Sequence, residues 1–263
     1  MHDTMTTEVT PTPAFERIRH PFKARHLQLL SREQISPNFV RLTLVGEMRD
    51  FASDGFDDHF KLLLPLDDQE KPSLPEMVDG KPLVDGPRPI MRDYTPLRWS
   101  TNTLTVDFAL HDNGPATDWA RNAPMGAWAG AAGPRGSMVI SKNFAWYWLL
   151  ADASGLPAVE RALAELPATA QVTVRLAVAE ADRRPLPSAA QVDLQWVDSL
   201  ISAAEQLTLP ETPGFIWAAG ENSEMAALRK ITVGKGASPK RMRIAAYWKH
   251  GETAHHEELA DKA

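Results

Sequence analysis

The sequence predicts two units of different class: an all-β first half, barrel or sandwich, followed by an α/β half on a mostly parallel sheet. Three observations carry this. Before Ser141 the chain is a series of short β-forming runs punctuated by Gly and Pro. After it, strand-like runs alternate with amphipathic helical ones. The change of rhythm falls in one place, around Ser141–Ala145.

In the first half, His26–Leu30 and Phe39–Val45 (FVRLTLV) are rich in β-formers. Phe60–Leu64 (FKLLL) is a short apolar run that stops at Pro65. From Pro65 to Pro89 the chain is rich in Pro and Asp and reads as a long connection. Strands resume at Ile90–Ser100 and Leu104–Leu110, a short helix follows at Pro115–Asn122, and short strands around Trp128 and Met138–Ile140 close the region.

The second half opens with an apolar strand, Trp148–Ala151. A helix follows over Gly155–Leu166, with Leu156, Val159, Leu163 and Leu166 on one face and Ser154 as the expected N-cap. Pro157 falls in its first turn, where a missing N–H is tolerated. Gln171–Ala179 alternates strictly, with Val172, Val174, Leu176 and Val178 on one side. A strand at Val192–Val197, a helix at Leu200–Leu207, a strand at Phe215–Ala218, a helix at Ser223–Val233 and a last strand at Arg243–Trp248 complete the pattern. No internal repeat is visible. The expected division is a flexible 1–15, a β unit over 16–142, an α/β unit over 143–250 and a polar tail over 251–263.

Composition narrows the chemistry. With 263 residues, 43% hydrophobic and 24% charged, the chain is an ordinary globular protein. Lys and Arg number 28 against 34 Asp and Glu, a net charge of −6 that disfavours sequence-independent nucleic-acid binding. The absence of cysteine excludes disulfides, iron–sulfur clusters, Cys-ligated zinc and thiol catalysis, so redox chemistry would need an organic cofactor or a non-thiolate metal. No apolar run has transmembrane length, and Met1–Pro13 lacks the basic start and apolar centre of a signal peptide, so a cytoplasmic location is expected. His255, His256, Glu257 and Glu258 make a metal site conceivable, but a solvated, frayed terminus is the expectation, and no metal site is assigned.

Three clusters suit a dinucleotide. In Arg92-Asp93-Tyr94-Thr95-Pro96-Leu97-Arg98, a guanidinium able to grip a phosphate stands beside a ring that can stack and a hydroxyl that can bond a polar edge; an amphipathic edge strand would read the same way. Asp107 and His111 share one strand face, and Gly114-Pro115-Ala116-Thr117 reads as a turn opening a helix whose bare N–H groups suit a pyrophosphate; a capped surface helix would also fit. Gly133-Pro134-Arg135-Gly136-Ser137 makes a tight turn, of the kind that closes a hairpin or lets backbone approach a ligand. In the second half there is no Gly-x-Gly-x-x-Gly fingerprint. Asp152 and the segment Ala218-Ala219-Gly220-Glu221 each sit in a strand–turn–helix, at the carboxyl ends of strands where open α/β sheets bind ligands.

Taken in order, these stretches resemble the siderophore-interacting protein family of ferric-siderophore reductases, within the ferredoxin–NADP reductase superfamily. The matching segments are DDHFKLLLP (Asp57–Pro65), RDYTPLR (Arg92–Arg98), DFALHDNGPATDWA (Asp107–Ala120), GPRGS (Gly133–Ser137), ADASGLPAVERALAELP (Ala151–Pro167), WAAGE (Trp217–Glu221) and YWKHG (Tyr247–Gly251). The resemblance implies an N-terminal antiparallel β-barrel holding FAD and a ferredoxin reductase-like α/β domain receiving NADPH or NADH. It implies that Arg92 contacts the FAD phosphates, Tyr94 stacks on the flavin and Thr95 bonds its edge. Asp107 and His111 fall in the second FAD segment, and Gly114, Pro115, Ala116 and Thr117 cradle the pyrophosphate. On the NAD(P)H side it implies Asp152, Pro157, Ala158, Gly220, Glu221 and Trp248, with Tyr247 beside the last. Leu97, Ala151 and the residues after Trp196 depart from the family's usual pattern.

The implied activity is transfer of electrons from NAD(P)H through FAD to the Fe(III) of a ferric siderophore, with no catalytic side chain and a monomeric enzyme. Lys61, Arg243 and Lys249 are candidates to steer an anionic chelate. Arg183-Arg184, after the Gln171–Ala179 strand, is a candidate for a 2′-phosphate. The alternatives are another reductase of the superfamily, serving ferredoxin, flavodoxin or free flavin, and a non-enzymatic siderophore carrier.

Overall fold

A computed structural model of the chain describes residues 14–79, 81–110 and 114–251, together with the backbone of 257–258. The first half contains β1 (Phe15–Arg19), β2 (Ala24–Ser36), β3 (Phe39–Val45), β4 (Phe60–Leu64), β5 (Pro75–Val78), β6 (Lys81–Val84), β7 (Ile90–Tyr94), β8 (Arg98–Trp99), β9 (Thr103–Ala109), α1 (Pro115–Asn122), β10 (Trp128–Ala132) and β11 (Gly136–Ile140). Seven of these strands form one antiparallel sheet in the order β7-β4-β10-β2-β3-β9-β8.

That order forces curvature. β7 and β8 are its two ends, yet only Thr95, Pro96 and Leu97 separate them in the chain. Four Cα steps reach at most about 15 Å, whereas seven flat strands would hold their edges about 29 Å apart. The sheet must therefore curl into an open barrel. Leu27, Leu29, Leu42, Leu44, Phe60, Leu62, Val106 and Phe108 fill it. Helix α1 lies against β3, β7 and β9 and buries Ala116, Thr117 and Ala120.

The second half contains β12 (Trp146–Asp152), α2 (Leu156–Glu165), β13 (Gln171–Ala177), β14 (Gln191–Trp196), α3 (Leu200–Gln206), β15 (Gly214–Glu221), α4 (Asn222–Gly234), β16 (Met242–Trp248) and β17 (Glu257–Glu258). The sheet order is β14-β13-β12-β15-β16-β17, parallel throughout except for β17. Alternation along β12 and β15 sends Tyr147, Leu149 and Trp217 to the face covered by α2. Trp148, Leu150, Ile216 and Ala218 go to the other face, with Leu200 of α3 and Met225 and Leu228 of α4.

Five expectations are corrected. The supposed connection Pro65–Pro89 contains the hairpin β5–β6, a separate two-stranded sheet. Its prolines are tolerated because both strands are edges. Ile90–Ser100 is two strands rather than one, since the backbone leaves the ladder between Tyr94 and Arg98. β1 begins at Phe15, inside the segment expected to be flexible, and pairs with β11. Asp152 rather than Ser154 caps the turn before α2: its carboxylate accepts the Ser154 N–H at 2.8 Å and the Ser154 hydroxyl at 2.5 Å. Finally, the tail is not wholly frayed, because Glu257–Glu258 pairs antiparallel with Ala245 and Ala246.

Candidate functional site

The β7–α1 corner gathers the first group of candidates. On β7, Arg92 lies opposite Leu62 and Tyr94 opposite Phe60. The Tyr94 ring packs on Phe108, centroids 4.2 Å apart and tilted by 39°. Burial pushes the Tyr94 phenol well above its ordinary range, so it stays neutral. Thr95 is buried where the chain leaves the strand. Arg92 donates to its neighbour's carbonyl, Met91 O, at 2.8 Å. No carboxylate pairs with it among the described residues.

Helix α1 beside it starts at Gly114 with no side-chain cap, and Pro115 supplies no N–H. A Cβ at Gly114 would meet nothing within 4 Å, so the helix end is open. A half-buried cation without an anion, next to an uncapped helix N-terminus, is a donor set suited to a diphosphate. A flat aromatic wall and a hydroxyl adjoin it. These residues fit FAD. His111 lies outside the described residues.

Asp107, placed in the same segment, faces elsewhere. It is 3% exposed and held by Arg41 through paired bonds of 2.6 and 2.8 Å and by Arg184 at 2.8 Å. Glu160 of α2 joins both guanidiniums, at 3.3 Å from Arg41 and 2.9 Å from Arg184. The hydrogen bonds that Arg41 donates to Asp107 hold its guanidinium above its ordinary pKa. Asp107 therefore ties barrel to α/β half. Arg184 is committed to the same cluster, and of the arginine pair it is Arg183 that is exposed, its guanidinium 6.0 Å from the Trp196 ring.

The second group of candidates gathers at the carboxyl ends of β12, β15 and β16. The sheet order reverses between β12 and β15, which makes their ends the topological switch point where such sheets bind ligands. Asp152 ends β12, Gly220 and Glu221 end β15, and Trp248 ends β16. Trp248, 43% exposed, donates its indole N–H to Asp152 Oδ2 at 2.7 Å. Gly220 is needed here, because a Cβ would come within 2.9 Å of Asp152 Oδ2. Burial pushes the Asp152 carboxyl up, and its bonds to Ser154 and Trp248 pull it partly back. Glu221 caps α4 by accepting the Ser223 N–H at 2.6 Å and the Glu224 N–H at 3.2 Å. Pro157 and Ala158 lie in the buried first turn of α2.

The proposed steering cations differ in placement. Lys61 is exposed and paired with Asp93 at 2.7 Å. Arg243 points inward, 11% exposed, onto the buried Asp57, which also accepts the Trp217 indole N–H at 3.1 Å. Lys249 is half-buried after β16. Among the described residues no group of His, Asp or Glu could hold a metal, and His255 and His256 lie outside them. No described helix is long and apolar enough to cross a membrane.

Local patterns missed the residues that lock the halves together. Asp182 accepts the Ser36 hydroxyl at 2.7 Å and the Asn38 backbone and side-chain N–H groups at 2.9 Å each. Arg161 of α2, 4% exposed, donates to Ser53 Oγ at 2.9 Å and to the Pro96 carbonyl at 3.2 Å. A buried charge in an amphipathic helix was the available signal for Arg161; Asp182 offered none.

Comparisons with known proteins agree with this geometry. Residues 28–138 match the siderophore-interacting FAD-binding domain, and residues 144–251 match the siderophore-interacting protein domain. The chain is 35% identical over 250 residues to the NADPH-dependent ferric-chelate reductase of Escherichia coli (strain K12), covering 90% of this chain and 98% of that one. It is 30% identical over 252 residues to ferric vibriobactin reductase ViuB of Vibrio cholerae, covering 89% and 93%. Among solved structures, a siderophore utilization protein from T. fusca superposes with a TM-score of 0.83 at 33% identity, over 91% of this chain and 98% of that chain.

Proposed function

Because the chain belongs to the siderophore-interacting protein family, we propose that it reduces the Fe(III) of a ferric siderophore with electrons from NADPH or NADH. It is an FAD-containing oxidoreductase with a ferredoxin reductase-like fold. The observation that carries the reading is the β7–α1 corner, where Arg92 lacks an anionic partner among the described residues and stands beside an uncapped helix end.

Arg92 and the N–H groups of Ala116 and Thr117 hold the diphosphate of FAD. Tyr94, braced by Phe108, forms the wall on which the ring system lies, and Thr95 bonds its polar edge. At the switch point, Asp152, Gly220, Glu221 and Trp248 receive the nicotinamide dinucleotide, with the backbone of Pro157 and Ala158 setting the helix entry behind them. Arg183 is free of the Asp107 cluster that engages Arg184, and so is the better placed of the two for a 2′-phosphate. Bound FAD supplies the conversion of one hydride into two successive one-electron reductions of Fe(III). Oxygen-donor chelators hold Fe(II) less well than Fe(III), so each reduction loosens the substrate. The step calls for no side-chain acid, base or nucleophile. Lys61 and Lys249 steer an anionic chelate towards the site. The unit boundary is placed at 142/143.

Anaerobic mixing tests this. NADPH or NADH should bleach the flavin absorbance, and a ferric siderophore should restore it with two Fe(II) formed per nicotinamide oxidised. Restoration by ferredoxin or free flavin, with no response to ferric chelates, would select another reductase. A purified protein that takes up no flavin would leave only a carrier.

A further inference from the structure

Thr95, Pro96 and Leu97 carry the chain from β7 to β8, and all three are buried. They follow Tyr94 directly, so their placement bears on where the flavin wall stands. Having left the ladder, their backbone groups need other partners. Leu97 donates its N–H to the Thr105 carbonyl at 2.9 Å, within the barrel. Pro96 has no N–H, and its carbonyl accepts from Arg161 Nη1 at 3.2 Å. That bond comes from the other half of the molecule.

Arg161 stands on α2, one turn after Pro157 and about 6 Å further along the helix axis. Its side chain is 4% exposed, and all three of its nitrogens are engaged. Nη1 also donates to Ser53 Oγ at 2.9 Å and Nη2 to the Ser53 carbonyl at 3.3 Å. Nε and Nη2 share Glu165 Oε1 at 3.2 and 3.0 Å. The guanidinium carbon lies 5.0 Å from the centroid of the Trp99 ring, on β8 at the far end of the same segment. A planar fork held by this many partners fixes the distance between them. Asp152 caps the turn before α2, and Pro157 and Ala158 lie in its first turn. One short helix therefore runs from the nicotinamide side to the backbone that follows the flavin wall. The Asp182 contact has no such reach, since it grips Ser36 and Asn38 around the β2–β3 turn.

We infer that Arg161 is a positioning residue for the redox step. It ties the Thr95–Leu97 segment to α2, and so sets how a donor held by one half meets an acceptor held by the other. Transfer rates depend steeply on that geometry. Arg161 acts through Pro96 and Ser53, and the inference rests on the FAD and nicotinamide sites proposed above.

The test uses the FAD-loaded, full-length protein. Arg161→Lys keeps a positive charge beside Glu165, but its single ammonium cannot span Pro96, Ser53 and Glu165 together. It should bind FAD and oxidised nicotinamide with wild-type affinity, while anaerobic flavin reduction by saturating NADPH or NADH slows about 10- to 100-fold. The long-wavelength charge-transfer absorbance formed when oxidised nicotinamide meets dithionite-reduced enzyme should weaken in parallel. Asp182→Ala loosens the same seam away from the flavin segment, and should lose melting temperature but keep the wild-type rate and band. Trp99→Leu removes a partly exposed ring beside the guanidinium rather than a buried charge; it should shift rate and band in the same direction by less, and it decides the question if Arg161→Lys does not fold. A wild-type rate and band in Arg161→Lys, or in Trp99→Leu where that variant decides, would overturn the assignment, as would equal slowing in Asp182→Ala. Wild-type protein whose flavin neither nicotinamide reduces would instead sink the reading on which the inference rests.

Discussion

The seam between the two halves and the β7–α1 corner treat polar groups in opposite ways. Along the seam, Asp107 is matched by Arg41 and Arg184, Asp182 by Ser36 and Asn38, and Arg161 by Ser53 and Pro96. At the corner, among the described residues, Arg92 has one backbone bond and α1 no side-chain cap. A fold that meets its charges with opposite charges or acceptors in one place, although Arg184 Nη1 is left over, and leaves a cation without an anion in another separates architecture from binding. Loss at the seam should therefore appear as lost stability, and loss at the corner as lost ligand.

The largest effect that could break this contrast lies at Asp107. Asp107→Ala leaves Arg41 and Arg184 facing each other with only Glu160 between them, and should cost about 3–5 kcal/mol of unfolding free energy. Urea denaturation of apo-protein measures it. Undiminished stability together with lost flavin would move Asp107 from the seam to the cofactor site.

Asp182→Ala comes next. Ser36 and Asn38 would lose their acceptor, and the cost should be about 1–3 kcal/mol. Burial alone would raise the Asp182 carboxyl, but the bonds from Ser36 and Asn38, helped by Arg184, outweigh it and hold it below its ordinary 3.8. Ionised Asp182 thus stabilises the fold above pH 3.8, and that contribution is lost as pH falls through its lower folded value. Melting curves taken through this acid range should show wild type losing its advantage over Asp182→Ala. A constant gap down to the lowest pH would remove Asp182 as a charged anchor.

Asp152 runs the other way. Burial raises its folded value above the ordinary 3.8, so ionisation costs stability, and this cost disappears as pH falls from neutral towards 3.8. Asp152→Asn should remove that slope, and should raise KM for the nicotinamide substrate more than it lowers kcat for the ferric chelate. A pH–stability profile identical to wild type would contradict it.

Lys249→Glu should have the smallest effect. KM for an anionic ferric chelate should rise by about 2- to 5-fold, as expected for a screened surface charge, with a neutral chelate unaffected. Equal changes for both would remove Lys249 from substrate steering.

What could be read from the residues follows the range of the forces involved. The helices α1, α2 and α4 and the parallel strands were legible because their apolar period, and for α1 and α2 a Pro in the first turn, are local signals. The β5–β6 hairpin was hidden, since proline in a strand counts against it unless the strand is known to be an edge. That β7 and β8 sit at opposite edges of one sheet depends on pairing across the barrel, which Arg92–Arg98 does not reveal. The site divides in the same way. Arg92, Tyr94 and Gly114–Thr117 were legible as candidates because a guanidinium, a ring and an open helix end are each local features. The commitment of Asp107, Arg184 and Arg243 to ion pairs was not, because their partners stand far away in the chain, as with Arg243 and Asp57.

The account rests on Arg92 as the anion-binding cation of the corner, and FAD titration into apo-protein tests it most directly. Arg92→Ala should weaken FAD binding by the value of a charge-assisted bond, about 1.5–3 kcal/mol or roughly 10- to 150-fold. The melting temperature of the apo form should stay unchanged. Wild-type FAD affinity in this variant, or an equal fall in apo stability, would contradict the account.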